Sequence, residues 1–545
     1  MTVENVALDR GLVLPHLIDR LASESPDTLL VEDVEDTAGG RAYTRAELQD
    51  AYRRWAGALR RAGVAAGEPV LTMLPNRAEV YPVWLGVSWL RAIEAPMNTQ
   101  YKGPMLRYAV NYCEARIGVV DGRFLPLFAD LAGELGGLHT LVVLNPPKKL
   151  PDVGIDLVTA EDFLAGAERA DDEPGPEYHD IACMIFTSGT TGPSKGVLMP
   201  WAELYEFPAF QNPTETLAPG QGMYQVLPQF HAAGKVGLYM ATLAGARTVC
   251  REVFSITEFW PDVQRYDCHA AGVVGPLAEI LIQMPEHPAE ADNPLERVMM
   301  GPLIADVEVF RTRFGVEVVT GYGMTEIGVP LASDGYRLAN NTSCGRVRDG
   351  YEVRIVNDVD EPVAVGEVGE LIVRHRYPWR LNAGYWRMPE QTAEAWRNGW
   401  FHTGDAFRCD ADGNFYFVDR IKDAMRRRGE NISSFEVEMH IAEHPDVFEA
   451  AAMPVRSNLG EDEVGVVVSA EESLTAEALL EWLIPRMPRF MIPRYIKLVT
   501  DELPRTATMR VQKFKLRESF PDADTFDREA AGLVLPKDAE RSRGA

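Results

Sequence analysis

Hydrophobic positions alternate along the chain between helical spacing and short apolar runs. Thr44 to Ala62 places apolar residues on one face of a helix, while Glu68 to Met73 and Ile117 to Val120 read as buried strands. This alternation over roughly the first 170 residues predicts α/β layering. Glu168 to Glu177 is acidic, carries Pro and Gly, and reads as a connector. Gly237 to Ala246 repeats apolar residues at helical spacing and predicts a core helix, and Val316 to Thr320 predicts a strand. Val353 to Val356 and Gly369 to Val373 alternate as strands between turn-rich pieces. Phe407 to Val418 reads as a hairpin about Asp412 and Gly413. The expected fold class is α/β, a large N-terminal domain of layered α/β subdomains plus a β-rich subdomain, followed by a small mobile α+β C-terminal domain.

A chain of 545 residues, 46% apolar, is long enough for a large core and more than one domain. The formal charge of −27 disfavours a broad nucleic-acid or anionic-membrane surface, so no nucleic-acid partner is expected. Six cysteines lie scattered without CxxC or Cys/His spacing, which suggests neither a disulfide framework nor a zinc site and fits a reducing, cytoplasmic setting. The first thirty residues are broken by charges and lack a signal-peptide core, and no apolar run reaches membrane-span length.

The densest candidate chemistry lies in Met184 to Pro200, where two apolar strand-like runs flank a loop of small residues, hydroxyls and one lysine. Gly189, Gly192 and Gly196 let backbone N–H groups converge on an anion. Thr187, Ser188, Thr190, Thr191 and Ser194 add neutral donors, and Lys195 adds a positive charge. A Gly/Ser/Thr-rich surface hairpin is the competing reading of such a loop. It is not a Walker A loop, because Lys195 follows Ser194 and precedes Gly196 and a strand instead of opening a helix.

A second cluster, Gly321 to Glu326, offers Gly321 and Gly323 for close backbone approach, Tyr322 as a flat face for a purine, and Thr325 as a hydroxyl for phosphate. Glu326 supplies a hard oxygen ligand suited to Mg²⁺ shared with triphosphate oxygens. A plain strand-to-loop turn is the alternative. Asp405, after the turn at Gly404, suits a ribose diol, with a simple Thr-Gly-Asp turn as the alternative. His231, between a turn and a probable helix, reads from local sequence as a packing residue before a ligand-lining one.

Thr187 to Gly196 resembles the signature loop of acyl-CoA synthetases, in the adenylate-forming superfamily that includes luciferases and peptide-synthetase adenylation domains. Further segments continue the resemblance in order, from about residue 10 to 520: Pro96 to Gly103, Leu227 to Gly234, Gly301 to Leu303, Gly321 to Glu326, Gly384 to Trp386, Asn398 to Asp405 and Asp419 to Asp423. The resemblance implies that the signature loop holds the ATP triphosphate and that Gly301 belongs to the adenine-side loop. It implies that His231 lines the acyl pocket and that Arg420 contacts the ribose together with Asp405. Lys422 would be the pivot between the domains, and Gly429 would lie beside the pantetheine tunnel of coenzyme A. The implied domains are 1–421 for AMP and acyl binding, 422–530 for a mobile C-terminal domain that reorients between half-reactions, and 531–545 as a polar tail. The implied cofactors are ATP/AMP as acyl-adenylate, coenzyme A and Mg²⁺. A homodimer is compatible with the resemblance.

The sequence departs from the family near its end, where Met509-Arg510 stands in place of the usual Gly-Lys. That lysine bridges the carboxylate and the α-phosphate as the adenylate forms. Arginine keeps the charge but not the shape, and losing one well-aimed donor costs on the order of 10²–10³ in rate. Lys513 and Lys515 lie close enough in sequence to compensate. The expectation is an acid–thiol ligase whose thioesterifying half is favoured and whose adenylating half is weak or lost. It would take a preformed acyl-adenylate from a partner ligase, as in bacterial diterpenoid-antibiotic pathways, with a terpenoid acid as substrate. The alternatives are a conventional ATP-dependent fatty or aromatic acid–CoA ligase and a non-catalytic acyl-AMP-binding protein.

Overall fold

The computed structural model describes residues 8–34, 40–187, 194–290, 292–421, 425–427, 430–432, 434–456, 462–505, 511–533 and 535. Two compact units emerge. The larger comprises Met1–Arg354, Ile372–His402 and Ala411–Tyr416, and the smaller comprises Ile355–Leu371, Thr403–Asp410 and Phe417–Ala545.

The larger unit is built on two seven-stranded sheets. One runs, in spatial order, Asp156–Thr159, Thr140–Leu144, Ile117–Asp121, Pro69–Met73, Ile93–Pro96, Ile181–Thr187 and Lys195–Pro200. All its pairings are parallel except the last, a hairpin between Ile181–Thr187 and Lys195–Pro200. The other runs Glu317–Val319, Arg297–Met300, Cys268–Val273, Gly222–Gln225, Arg247–Cys250, Leu29–Asp33 and Ala42–Thr44. It too is parallel except at its end, where Ala42–Thr44 pairs antiparallel. Parallel strands are buried on both faces, which is why they read as near-continuous apolar runs.

The helix expected from Thr44 to Ala62 forms over Arg45–Arg61, and a capping box starts it. The Thr44 hydroxyl accepts from the Glu47 amide, and the Glu47 carboxylate accepts from the Thr44 amide. Leu48, Tyr52, Trp55 and Leu59 of this helix are buried against the helix Val80–Trp89. The acidic connector is pinned to the same helix: Asp172 and Glu173 pair with Arg60, and Ala170 exchanges hydrogen bonds with Arg53. The predicted core helix forms over Ala232–Ala244 and ends at Gly245, whose φ of 68° is the left-handed closure that glycine favours.

In the smaller unit, Val447–Arg456, Asp462–Ala470, Tyr495–Val499 and Phe526–Asp527 make a four-stranded mixed sheet. The helix Ala476–Leu483 crosses between the two parallel strands, Asp462–Ala470 and Tyr495–Val499. Its Leu479 and Leu483 share a core with Val437 and Ile441 of the helix Ser434–Ala442. The chain is therefore a mixed α/β protein with a large N-terminal part and a small C-terminal unit, as its sequence pattern predicts. Among the described residues, no helix is long and apolar enough to cross a membrane, and all six cysteines are free.

Candidate active site

The hairpin Ile181–Thr187/Lys195–Pro200 presents the two ends of the signature loop side by side, with Thr187 opposite Lys195 and Phe186 opposite Gly196. Ser188, Gly189, Thr190, Thr191 and Gly192 lie outside the described residues, as do Lys422, Gly429 and Arg510. The Lys195 ammonium sits over the ring of Tyr385, 4.6 Å from its centroid. The Tyr385 hydroxyl donates to Oε1 of Glu326 across 3.2 Å. A cation and a carboxylate are thus joined through one aromatic side chain. Tyr385 reaches this position because the segment around it is stitched to the second strand of the hairpin. Leu198 N–H donates to Gly384 O, Ala383 N–H to Leu198 O, and Trp386 N–H to Gly196 O.

Glu326 is 6% exposed. Its backbone carbonyl accepts from both the amide and the side chain of Asn382, at 3.1 and 2.7 Å. The Asn382 Oδ1 in turn accepts from Gly384 N–H and Trp396 Nε1. Sequence reasoning marked Gly384 to Trp386 only as a point of resemblance and passed over Asn382. The signal for Tyr385 was the Gly-Tyr-Trp run itself.

Gly321 to Glu326, read as a ligand loop with a plain strand-to-loop turn as the alternative, forms the first strand and the turn of a hairpin. Gly321–Met324 pairs antiparallel with Gly328–Ala332. Two glycines permit it: a Cβ on Gly323 would lie 2.3 Å from the Gly328 carbonyl oxygen, and Gly328 turns the chain at a φ of 64°. Tyr322 is half-buried on the first strand of this hairpin, and Thr325 and Glu326 occupy the turn. Gly301, at the end of the strand Arg297–Met300, lies close enough to Gly321 that a Cβ there would stand 3.8 Å from the Gly321 oxygen. The Gly301 segment and the Tyr322 segment are therefore neighbours. His231 immediately precedes the helix Ala232–Ala244, beyond the strand Gly222–Gln225, and its ring packs on Phe230 at 4.7 Å.

In the smaller unit, Asp405 and Arg420 form an ion pair at 2.8 Å, with Asp405 2% exposed. The turn expected at Gly404 is absent: Gly404, at a φ of 68°, is a kink inside the strand Phe401–Cys409 just before Asp405, and its amide donates to Glu370. Lys513 is already engaged: its ammonium contacts Glu438 and Ser434, each at 2.6 Å. Ser434 Oγ donates to Asp419, and Glu438 accepts from the Ala452 amide. Of the two lysines expected to offset Arg510, Lys513 is committed inside the unit.

The chain thus folds as two α/β units, and in the larger one a lysine and a glutamate are linked through one tyrosine beside the paired ends of a hairpin. The comparison with known proteins names the family. The chain matches the AMP-binding enzyme family over residues 18–386 and the AMP-binding enzyme C-terminal domain over residues 436–510, and it belongs to that family. It is similar to the crotonobetaine/carnitine–CoA ligase of Salmonella paratyphi A, 28% identical over 521 residues that cover 93% of this chain and 99% of that protein. In fold it is similar to ATP-bound MatB from Rhodopseudomonas palustris, with a TM-score of 0.80 at 24% identity over 93% and 99% of the two chains. It is likewise similar to a benzoate CoA ligase from Burkholderia xenovorans, with a TM-score of 0.78 at 24% identity over 93% and 99%.

Proposed function

We propose that this protein is an acyl-CoA ligase that joins a carboxylic acid to coenzyme A through an acyl-adenylate. The observation that carries the reading is the Lys195–Tyr385–Glu326 chain behind the paired ends of the Thr187/Lys195 loop. A cation for phosphate oxygens lies over the ring of one tyrosine, and a buried carboxylate for the accompanying metal meets its hydroxyl. The full-length similarity to a CoA ligase supports it.

Among the described residues no group of three or more His, Cys, Asp or Glu side chains could hold a metal alone. One carboxylate suits Mg²⁺ that arrives on ATP, since magnesium is usually held by one or two carboxylates plus substrate phosphates. Glu326 would hold that ion, which screens the phosphate charge when bound. In this reading Thr187, Ser188, Gly189, Thr190, Thr191, Gly192 and Lys195 cradle the phosphates. Gly301, Tyr322, Gly323 and Thr325 flank the base and α-phosphate. Asp405 and Arg420 hold the ribose, His231 lines the acyl site, and Gly429 serves coenzyme A. Domain boundaries fall at 421/422 and 530/531, with Lys422 the pivot. Catalysis is positioning and charge stabilisation, with no protein nucleophile.

The finer reading is that Arg510, in place of the family lysine, leaves adenylation weak or lost, so that the protein thioesterifies an acyl-AMP made by a partner ligase, with a terpenoid acid as the substrate class. The engagement of Lys513 by Glu438 and Ser434 favours this reading, because it takes away the nearest substitute charge. A second reading, a conventional ATP-dependent ligase of a small acid, is favoured by the full-length likeness to a ligase named for crotonobetaine and carnitine. Pyrophosphate release from ATP with a panel of fatty, aromatic, terpenoid and betaine acids, run beside thioester formation from the matching synthetic adenylates, separates the two. Thioester without pyrophosphate supports the split reaction, and pyrophosphate with one of the acids supports the conventional ligase. Activity in neither assay overturns both.

A further inference from the structure

His231 stands between two buried polar anchors that the scheme above does not use. The helix Ala232–Ala244, which His231 precedes, lies on the sheet that holds Gly222–Gln225 and Arg247–Cys250. The Thr248 hydroxyl donates to Gly237 O at 3.3 Å, and a Cβ on Gly237 would stand 2.4 Å from the Gln225 side chain. Lys235, four residues after His231, reaches the other sheet instead. It is fully buried and pairs with Glu94 at 2.5 Å, and the second Glu94 oxygen accepts from the Thr72 hydroxyl at 3.0 Å. Glu94 lies opposite Cys183 in the strand that runs on to Thr187.

Gln229, two residues before His231, is the other anchor, 4% exposed. Its Nε2 meets Gly234 O at 2.8 Å, the Tyr81 hydroxyl at 3.0 Å and Asn76 Oδ1 at 3.2 Å. Asn76 follows the strand Pro69–Met73 and donates to Arg251 O at 2.9 Å, just past the strand Arg247–Cys250, so it touches both sheets. The turn between the anchors closes on itself. His231 N–H donates to Pro228 O and Gly234 N–H to His231 O, each at 3.0 Å, and a Cβ on Gly234 would lie 2.1 Å from Pro228 O. His231 is half-buried between its buried anchors. Burying a lysine, a glutamate and a glutamine costs desolvation that apolar side chains of the same volume would not incur. Bonds to fixed partners restrict the turn to one register.

We propose that Gln229 and Lys235 are positioning residues for His231: bonded to Asn76, Tyr81 and Glu94, they hold the His231 turn at a fixed place relative to the strand that carries Thr187. The inference rests on reading His231 as lining the acyl site.

The test uses the full chain, Gln229→Leu, and Lys235→Met combined with Glu94→Gln, which strands no charge, at a temperature where thermal melts show each protein folded. Thioester formation from synthetic octanoyl-AMP and benzoyl-AMP reads the acyl side, and calorimetric titration of AMP alone reads the nucleotide side. A misplacement of about 1 Å costs up to about 10²-fold in rate. Both variants should therefore lose about tenfold or more in kcat/KM for the acyl-adenylates while binding AMP within about twofold of wild type. A smaller loss in kcat/KM overturns the proposal, and so does an equal loss in AMP affinity, which marks general loosening of the fold. If one variant does not fold, the other decides. If neither folds, Gln229→Asn, one methylene short of its partners, decides by the same two readouts. If the wild type makes no thioester from either adenylate, the ligase reading for these acids has failed, and crystal structures of wild type and a folded variant decide instead. A His231 turn displaced relative to Thr187 supports positioning by the anchors, and an unmoved turn overturns it.

Discussion

The Tyr385 hydroxyl donates to the Glu326 carboxylate across 3.2 Å while the Tyr385 ring carries the Lys195 ammonium at 4.6 Å. One side chain thereby fixes the spacing of the two charges that the proposed reaction needs most. Tyr385→Phe keeps the ring and removes the hydroxyl. A hydrogen bond to a charged group contributes about 1.5–3 kcal/mol, so this change should weaken MgATP binding by about tenfold or more. Tyr385→Leu should weaken it further, because the face that attracts Lys195 goes as well. Titration of MgATP into the two variants checks both steps.

Lys235 and Glu94 form an ion pair at 2.5 Å with both side chains fully buried, and Lys235 also lies over Trp84 at 4.3 Å. Removing one member of a buried pair strands the other charge, which costs about 3–5 kcal/mol. Lys235→Met should therefore lower the melting temperature sharply. Lys235→Met combined with Glu94→Gln, in which no stranded charge remains, should recover much of the loss. Thermal or urea unfolding of the two variants measures the difference.

The larger unit was readable from local pattern because its parallel strands are buried on both faces and its principal helix begins with a capping box, so hydrophobic period and end signals agree. Thr187 and Lys195 were legible as the two ends of one loop. What the pattern could not carry was pairing over long separations. Tyr385 lies 190 positions from Lys195, and only the bonding of Gly384 to Leu198 brings it there. The hairpin of Gly321–Met324 was hidden because a sequence does not show that Gly323 must also be small to clear the Gly328 carbonyl of the paired strand. Lys513 looked available because a sequence shows charge and not partners, and Glu438, which takes it up, lies on another helix.

Glu203, fully buried on the helix Trp201–Ala209, sets a pH dependence of stability. Its carboxyl is raised well above the ordinary value of 4.5 by burial first and by Glu326 next. Between 4.5 and the raised value the folded protein holds a proton that the unfolded chain has released, so the folded state binds more protons and stability falls as pH rises. The slope for one such group is about 1.4 kcal/mol per pH unit. Glu203→Gln cannot release the proton. Its stability should fall less steeply than wild type as the pH is raised from about 4.5, the unperturbed carboxyl value. Parallel urea titrations at a series of pH values give the comparison, and identical slopes would refute the assignment.

Arg510→Lys installs the lysine that the resemblance implies at this position, and on the proposed reading the two half-reactions should answer differently. Adenylation needs a compact donor between the acid and the α-phosphate, and one well-aimed donor of this kind contributes on the order of 10²–10³ in rate. Thioester formation from a preformed adenylate needs only the coenzyme A thiol to reach the acyl carbon, so the same change should leave it within about twofold, because no interaction of that step is altered. If the adenylating half is impaired by arginine, Arg510→Lys raises acid-dependent pyrophosphate release without a matching rise in thioester formed from synthetic adenylate. Met509 still restricts the backbone that presents the new lysine, so Met509→Gly with Arg510→Lys should gain more than Arg510→Lys alone. A wild type that already releases pyrophosphate at the rate of both variants would mean that the arginine fork aims a donor as well as lysine does, and the conventional ligase reading would stand.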